Sequence, residues 1–91
     1  MRVRWTPAAA GDLARIAEYI RKDNPGAAQR VARAIYGGIA SLKTSPNRGR
    51  AGLVPNTREL VFAPLPYVAV YEVLEDQVQV LRIRHAAQDW P

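Results

Sequence analysis

Arg82, Arg84 and His85 stand close together near the end of the chain and carry the side chains best suited to holding an anion or moving a proton. Arginine offers a planar fork that pairs bidentately with phosphate or carboxylate. With a pKa above 12 it is a poor general base. His85 is the single histidine and the one side chain whose unperturbed pKa lies near neutrality. A lone histidine at a strand end serves structure as readily as chemistry. Arg58 adds a guanidinium on an earlier strand, and Arg48 and Arg50 add two more in a loop.

The residue types exclude several other chemistries. There is no cysteine, hence no disulfide, thiolate nucleophile or thiolate metal site. One histidine argues against a histidine-based zinc centre. No metal and no cofactor are therefore expected. The chain has 91 residues and a formal charge of +5, and 11 of its 13 basic residues are arginine, Lys22 and Lys43 being the others. That balance points to an anionic partner, either nucleic acid or an acidic protein, although arginine at ordinary surface positions would look the same. The length suits one domain over residues 1–91 with one modest core. No apolar run long enough to span a bilayer and no leader pattern stands out, so no membrane is expected and the cytoplasm is the expected location.

The elements that must position these residues follow from pattern. Arg2–Trp5 alternates as a short strand. Thr6-Pro7 is a helix start, and Leu13, Ile16, Ala17 and Ile20 then form one apolar stripe that leaves Asp12 on another side of the helix. Asn24-Pro25 restarts the same logic, with Ala28, Val31, Ile35, Ile39 and Leu42 as the second stripe. Gly37-Gly38 inside that helix costs roughly 0.5–1 kcal/mol per glycine, so a kink or close approach is expected there. The segment 44–56, TSPNRGRAGLVPN, reads as a solvated loop with Arg48 and Arg50 at its most flexible point. Three strands follow at 57–62, 67–74 and 77–85. The expected fold is α+β: an N-terminal strand, an antiparallel helical hairpin, then a three-stranded antiparallel meander, with both helices on one face of the sheet.

A two-residue turn at Glu75-Asp76 sets the last hairpin's register. It aligns Tyr71 with Val80, Val70 with Leu81, Ala69 with Arg82, and Tyr67 with Arg84. Alternation then puts Val68, Val70, Leu81 and Ile83 on an aliphatic face suited to the helices, with His85 at its far end. The other face carries Tyr67, Tyr71, Val80, Arg82 and Arg84. An uncovered face of this kind is an expected interaction surface.

In order and spacing, DLARIAEYI, NPGAAQRVARAI, SPNRGRAG, TREL, PYVAVYEV and VLRIRHAAQDWP together resemble toxins of the RelE/ParE superfamily from bacterial type II toxin–antitoxin modules, more closely the ParE-like members. The resemblance implies a cognate antitoxin that occludes the active surface, with Tyr67, Tyr71, Val80, Arg48, Arg50, Arg58, Arg82 and Arg84 as candidate contacts. It also implies one of two actions. ParE-like members act on DNA gyrase. RelE-like members cut mRNA in the ribosome without a metal, and here Arg58 and Arg82 would stabilise phosphate charge while His85 moved the proton. The nuclease pattern is incomplete: Phe62 and Ala63 stand where a basic residue might be sought, and only Gln88, Asp89 and Trp90 offer side chains after His85.

Overall fold

The computed structural model describes residues 1–87; Gln88, Asp89, Trp90 and Pro91 lie outside the described residues. Strand β1 (Arg2–Trp5) leads into α1 (Pro7–Arg21) and α2 (Pro25–Ala40). A short 3₁₀ turn (Ser41–Lys43) and strands β2 (Arg50–Ala51), β3 (Arg58–Val61), β4 (Tyr67–Val73) and β5 (Gln77–His85) follow. The capping chemistry matches the sequence. Thr6 Oγ1 accepts from Ala9 N–H at 3.1 Å and Asn24 Oδ1 from Ala27 N–H at 3.0 Å, and each cap precedes a proline that opens its helix.

The sheet order is β1-β5-β4-β3-β2. β1 pairs parallel with β5 and every other pairing is antiparallel, so the α+β expectation holds on a mixed sheet. β2 arises inside the segment read as a loop: Arg50 and Ala51 pair with Glu59 and Arg58. Gly38 supplies the close approach expected in α2, since a Cβ there would lie 2.5 Å from Phe62 Cε1. No helix among the described residues is long and apolar enough to cross a membrane.

The helix-facing side of the sheet differs from the expectation. Tyr71, Val78, Val80, Ala69 and Ile83 pack with Ala9, Ile35, Ile39 and Leu42 in one core, and Tyr71 and Val80 are 0% exposed. The aliphatic appearance of the Val68/Val70 side misled, because Tyr71 buries its ring and still satisfies its hydroxyl. That hydroxyl donates to Pro46 O and accepts from Gly49 N–H, each at 2.8 Å. Val68 and Val70 are buried as well, on the opposite side of the sheet.

The turn at Glu75-Asp76 is as expected, with Leu74 N–H donating to Gln77 O and Tyr71 aligned with Val80. Past that point a β-bulge leaves Leu81 without a partner. The partners of Val70, Ala69, Val68 and Tyr67 become Arg82, Ile83, Arg84 and His85. One extra residue inverts every later side chain. Ile83 therefore joins the core in place of Arg82, and Arg84 moves to the Val68 side.

Candidate functional site

The guanidinium groups singled out in the sequence are each engaged by the protein itself. Arg82 Nε and Nη2 donate to Asp12 Oδ2 and Oδ1 at 2.8 and 3.0 Å. Arg15 Nη2 donates to Asp12 Oδ1 at 2.7 Å, and Ile83 N–H donates to Oδ2 at 2.9 Å. Asp12 is 6% exposed, although helical periodicity had left it outside the apolar stripe. Burial pushes its pKa up, but the hydrogen bonds from Arg82, Ile83 and Arg15 outweigh that and hold it below the ordinary carboxylate value. Arg82 is raised in turn, chiefly by its hydrogen bonds to Asp12.

Arg84 and Glu59 form a second cluster, 8% and 2% exposed. Arg84 Nη2 lies 3.3 Å from Glu59 Oε1, which also accepts from Arg50 Nη2 at 3.0 Å. Burial raises the Glu59 pKa, whereas the hydrogen bonds from Arg50 and the Leu53 backbone, with the charge of Arg84, bring it below the ordinary value. Arg84 Nε is buried with no hydrogen-bond partner. Arg58 donates to Gly49 O at 2.7 Å, and Arg48 to Ser41 Oγ at 2.7 Å. Arg48 and Arg50 are thus tied to the scaffold, although both remain exposed.

The candidate site residues do not all converge. Arg58 aligns with Tyr71 on β4 and His85 with Tyr67, from opposite sides of that strand. Four residues of strand and two inter-strand spacings separate their Cα atoms by roughly 16 Å. His85 meets Tyr67 edge-on at 5.7 Å between ring centroids, and both line an open groove of about 490 Å³ with Arg15, Ile16 and Tyr19.

The sequence pattern also missed an apolar groove of about 400 Å³ on the helical hairpin. Trp5 and Tyr36, stacked at 6.0 Å between ring centroids, line it with Ala10, Leu13, Ala14 and Ala17. Tyr36 is 62% exposed. The available signal was a large aromatic, Tyr36, placed off the apolar stripe of α2.

With this geometry in place, likeness to known proteins decides the family. The family model described as the ParE toxin of the type II toxin–antitoxin system parDE matches residues 3–90. The chain belongs to the ParE toxin family. It is accordingly a toxin component of a type II toxin–antitoxin system within the RelE/ParE superfamily. Among its relatives are a candidate toxin, Y4kP, of Sinorhizobium fredii, 43% identical over 99% of this chain and 93% of that one. Toxin RelE2 of Caulobacter vibrioides is 44% identical over 94% of this chain and 96% of that one. The chromosomal ParDE system of P. aeruginosa contains a chain with 28% identity and a TM-score of 0.84, covering 93% of this chain and 95% of that one. A chain of the intact E. coli RelBE toxin–antitoxin complex, 13% identical with a TM-score of 0.66 over 96% of this chain and 98% of that one, shares the fold. These solved neighbours are toxin–antitoxin systems, which supports an antitoxin as the partner of this ParE-family toxin.

Proposed function

We propose that this toxin arrests growth by gripping a DNA-associated target such as DNA gyrase, without cutting RNA. The separation of Arg58 from His85 carries the reading: their Cα atoms lie roughly 16 Å apart across three strands, and the Arg58 guanidinium is turned to Gly49 O at 2.7 Å, so the two are not poised together on one scissile phosphate. The engagement of Arg82 by Asp12 and of Arg84 by Glu59 supports it, because a guanidinium already neutralised by a buried carboxylate is a weaker phosphate clamp. Induction of the His85→Ala variant should still arrest growth and raise a DNA-damage response. Arrest with immediate loss of translation, abolished by that substitution, would overturn the reading.

A ribosome-dependent, metal-free ribonuclease is the second reading. It is favoured by one observation, that Arg15, Tyr19, Tyr67 and His85 share a single open groove. Cleavage in a reconstituted translation reaction that falls about 100-fold in His85→Ala would establish it.

For the antitoxin, the groove between Trp5 and Tyr36 is the proposed seat of an amphipathic helix. The sheet face that was to receive the partner is filled by the toxin's own helices, so Tyr71 and Val80 drop out of the contact set. Tyr36, with its ring exposed beside Trp5, takes over the role of apolar anchor.

A further inference from the structure

We infer that the groove between α1 and the paired ends of β4 and β5 binds a nucleoside monophosphate, with Arg15 taking the phosphate and Tyr19, Tyr67 and His85 holding the base. The groove measures about 490 Å³. Asp12, Arg15, Ile16 and Tyr19 reach it from α1, and their i, i+3, i+4, i+7 spacing makes one face of the helix its wall. Tyr19 is 75% exposed, a large ring turned to solvent and not to the core. Tyr67 and His85 line the opposite wall, meeting edge-on at 5.7 Å across the β4–β5 ladder. Flat bases stack on such rings, because every base presents a π-face.

The charge on the groove wall selects the ligand. Asp12 is saturated: Oδ1 accepts from Arg15 Nη2 and Arg82 Nη2, and Oδ2 accepts from Arg82 Nε and Ile83 N–H. Two guanidinium groups thus share one buried carboxylate, and no second acid pairs with either among the described residues. One positive charge is left uncompensated. Arg15 carries it into the groove, because its side chain is 70% exposed while the bond to Asp12 fixes its position. Gly11 keeps the adjoining space open, since a Cβ there would lie 3.2 Å from Arg15 Nη1. A held guanidinium with N–H groups to spare is a phosphate site. Arg15 and Tyr19 stand one helical turn apart, roughly 5–6 Å between Cβ atoms, a span that one ribose bridges between phosphate and base. Among the described residues, Arg15 is the only arginine or lysine lining the groove. A nucleic-acid strand is held by cations repeated along its path, whereas a terminal phosphate concentrates a charge of about −1.5 to −2 at one point. The single cation therefore favours a free nucleotide over a strand. The site does not depend on what the toxin acts on; the ribonuclease reading uses the same groove, and an oligonucleotide separates the two.

The test titrates the full chain with adenosine 5′-monophosphate, read by calorimetry and by amide shifts in NMR spectra. The amides of Ile16, Tyr67 and Ile83 should shift, and those of Trp5 and Tyr36 should not. Affinity should fall about 10-fold or more in Tyr19→Ala and in Arg15→Gln, and stay unchanged in Arg33→Gln, an exposed cation on α2. Arg15→Gln gives up one of the four bonds to Asp12, so Tyr19→Ala, which leaves that cluster intact, keeps the test independent of folding. Adenosine and inorganic phosphate each offer half of the ligand and should bind about 10-fold more weakly than the nucleotide, or worse. Inorganic phosphate that binds as tightly as the nucleotide would reduce the site to plain charge attraction and overturn the inference. Affinity indifferent to Tyr19→Ala, or no binding at millimolar nucleotide, would overturn it too. A single-stranded oligoadenylate without a terminal phosphate forms the last arm. If it outcompetes the mononucleotide, the groove is a channel for a strand and the nucleotide assignment is wrong.

Discussion

Asp12 Oδ2 accepts from Arg82 Nε at 2.8 Å, tying the first turns of α1 to the β-bulge of β5 across 70 residues of sequence. The carboxylate also caps Ile83 N–H, and Thr6 Oγ1 donates to Leu81 O at 3.0 Å from the same helix start. The bulge that swings Ile83 into the core and Arg84 away from it is therefore held from both sides by α1.

Breaking that clamp should unfold the toxin sooner. Asp12→Asn is expected to lower stability at pH 7 by about 1–3 kcal/mol, discounted because Arg82 is 44% exposed. The Asp12 pKa is depressed below 3.8 in the fold. Its contribution is thus complete above that value and fades as pH falls through the lower, folded value. Urea midpoints of the two proteins should differ at pH 7 and converge well below pH 3.8.

The second cluster should respond asymmetrically. Glu59→Ala strands the buried Arg84 charge beside the like-charged Arg50 and is expected to cost about 3–5 kcal/mol. Arg84→Met removes a guanidinium whose Nε has no partner and should be far milder. Chemical denaturation that ranks the two variants in the opposite order would contradict this.

Adjacent glycines give an internal control. A Cβ on Gly37 would have nothing within 4 Å, whereas a Cβ on Gly38 would sit 2.5 Å from Phe62 Cε1. Gly37→Ala should raise stability by about 0.5–1 kcal/mol, and Gly38→Ala should lower it by about 1–3 kcal/mol. Thermal melts of the pair read the difference directly.

Tyr71 and Tyr36 should separate folding from partner binding. Tyr71→Phe leaves buried Gly49 N–H without its acceptor and should cost about 1–3 kcal/mol of stability, with antitoxin affinity in the folded fraction unchanged. Tyr36→Ala should leave the melt nearly unmoved but weaken the antitoxin complex by about 2 kcal/mol, as expected for an apolar anchor. Titration of the complex with each variant, alongside Arg48→Ala as a rim control, distinguishes them.

Local chemistry made most of the architecture legible. Thr6-Pro7 and Asn24-Pro25 announce the two helix starts, Gly37-Gly38 a close approach, and Glu75-Asp76 the last turn, because caps, prolines and tight turns act within a few residues. The order and spacing of the segments carried the family. The site was less legible. Asp12 falls off the apolar stripe and nothing in the sequence singles out Glu59, and only packing brought them against Arg82 and Arg84, which buries Arg84 and leaves Arg82 half exposed. Which side of the meander meets the helices was likewise decided in three dimensions. Both sides are apolar enough to bury, and one unpaired residue at Leu81 reverses everything after it. Alternation within a strand is a property of the chain, but a bulge and a buried ion pair depend on partners far away in sequence, and those exist only once the sheet and α1 have come together.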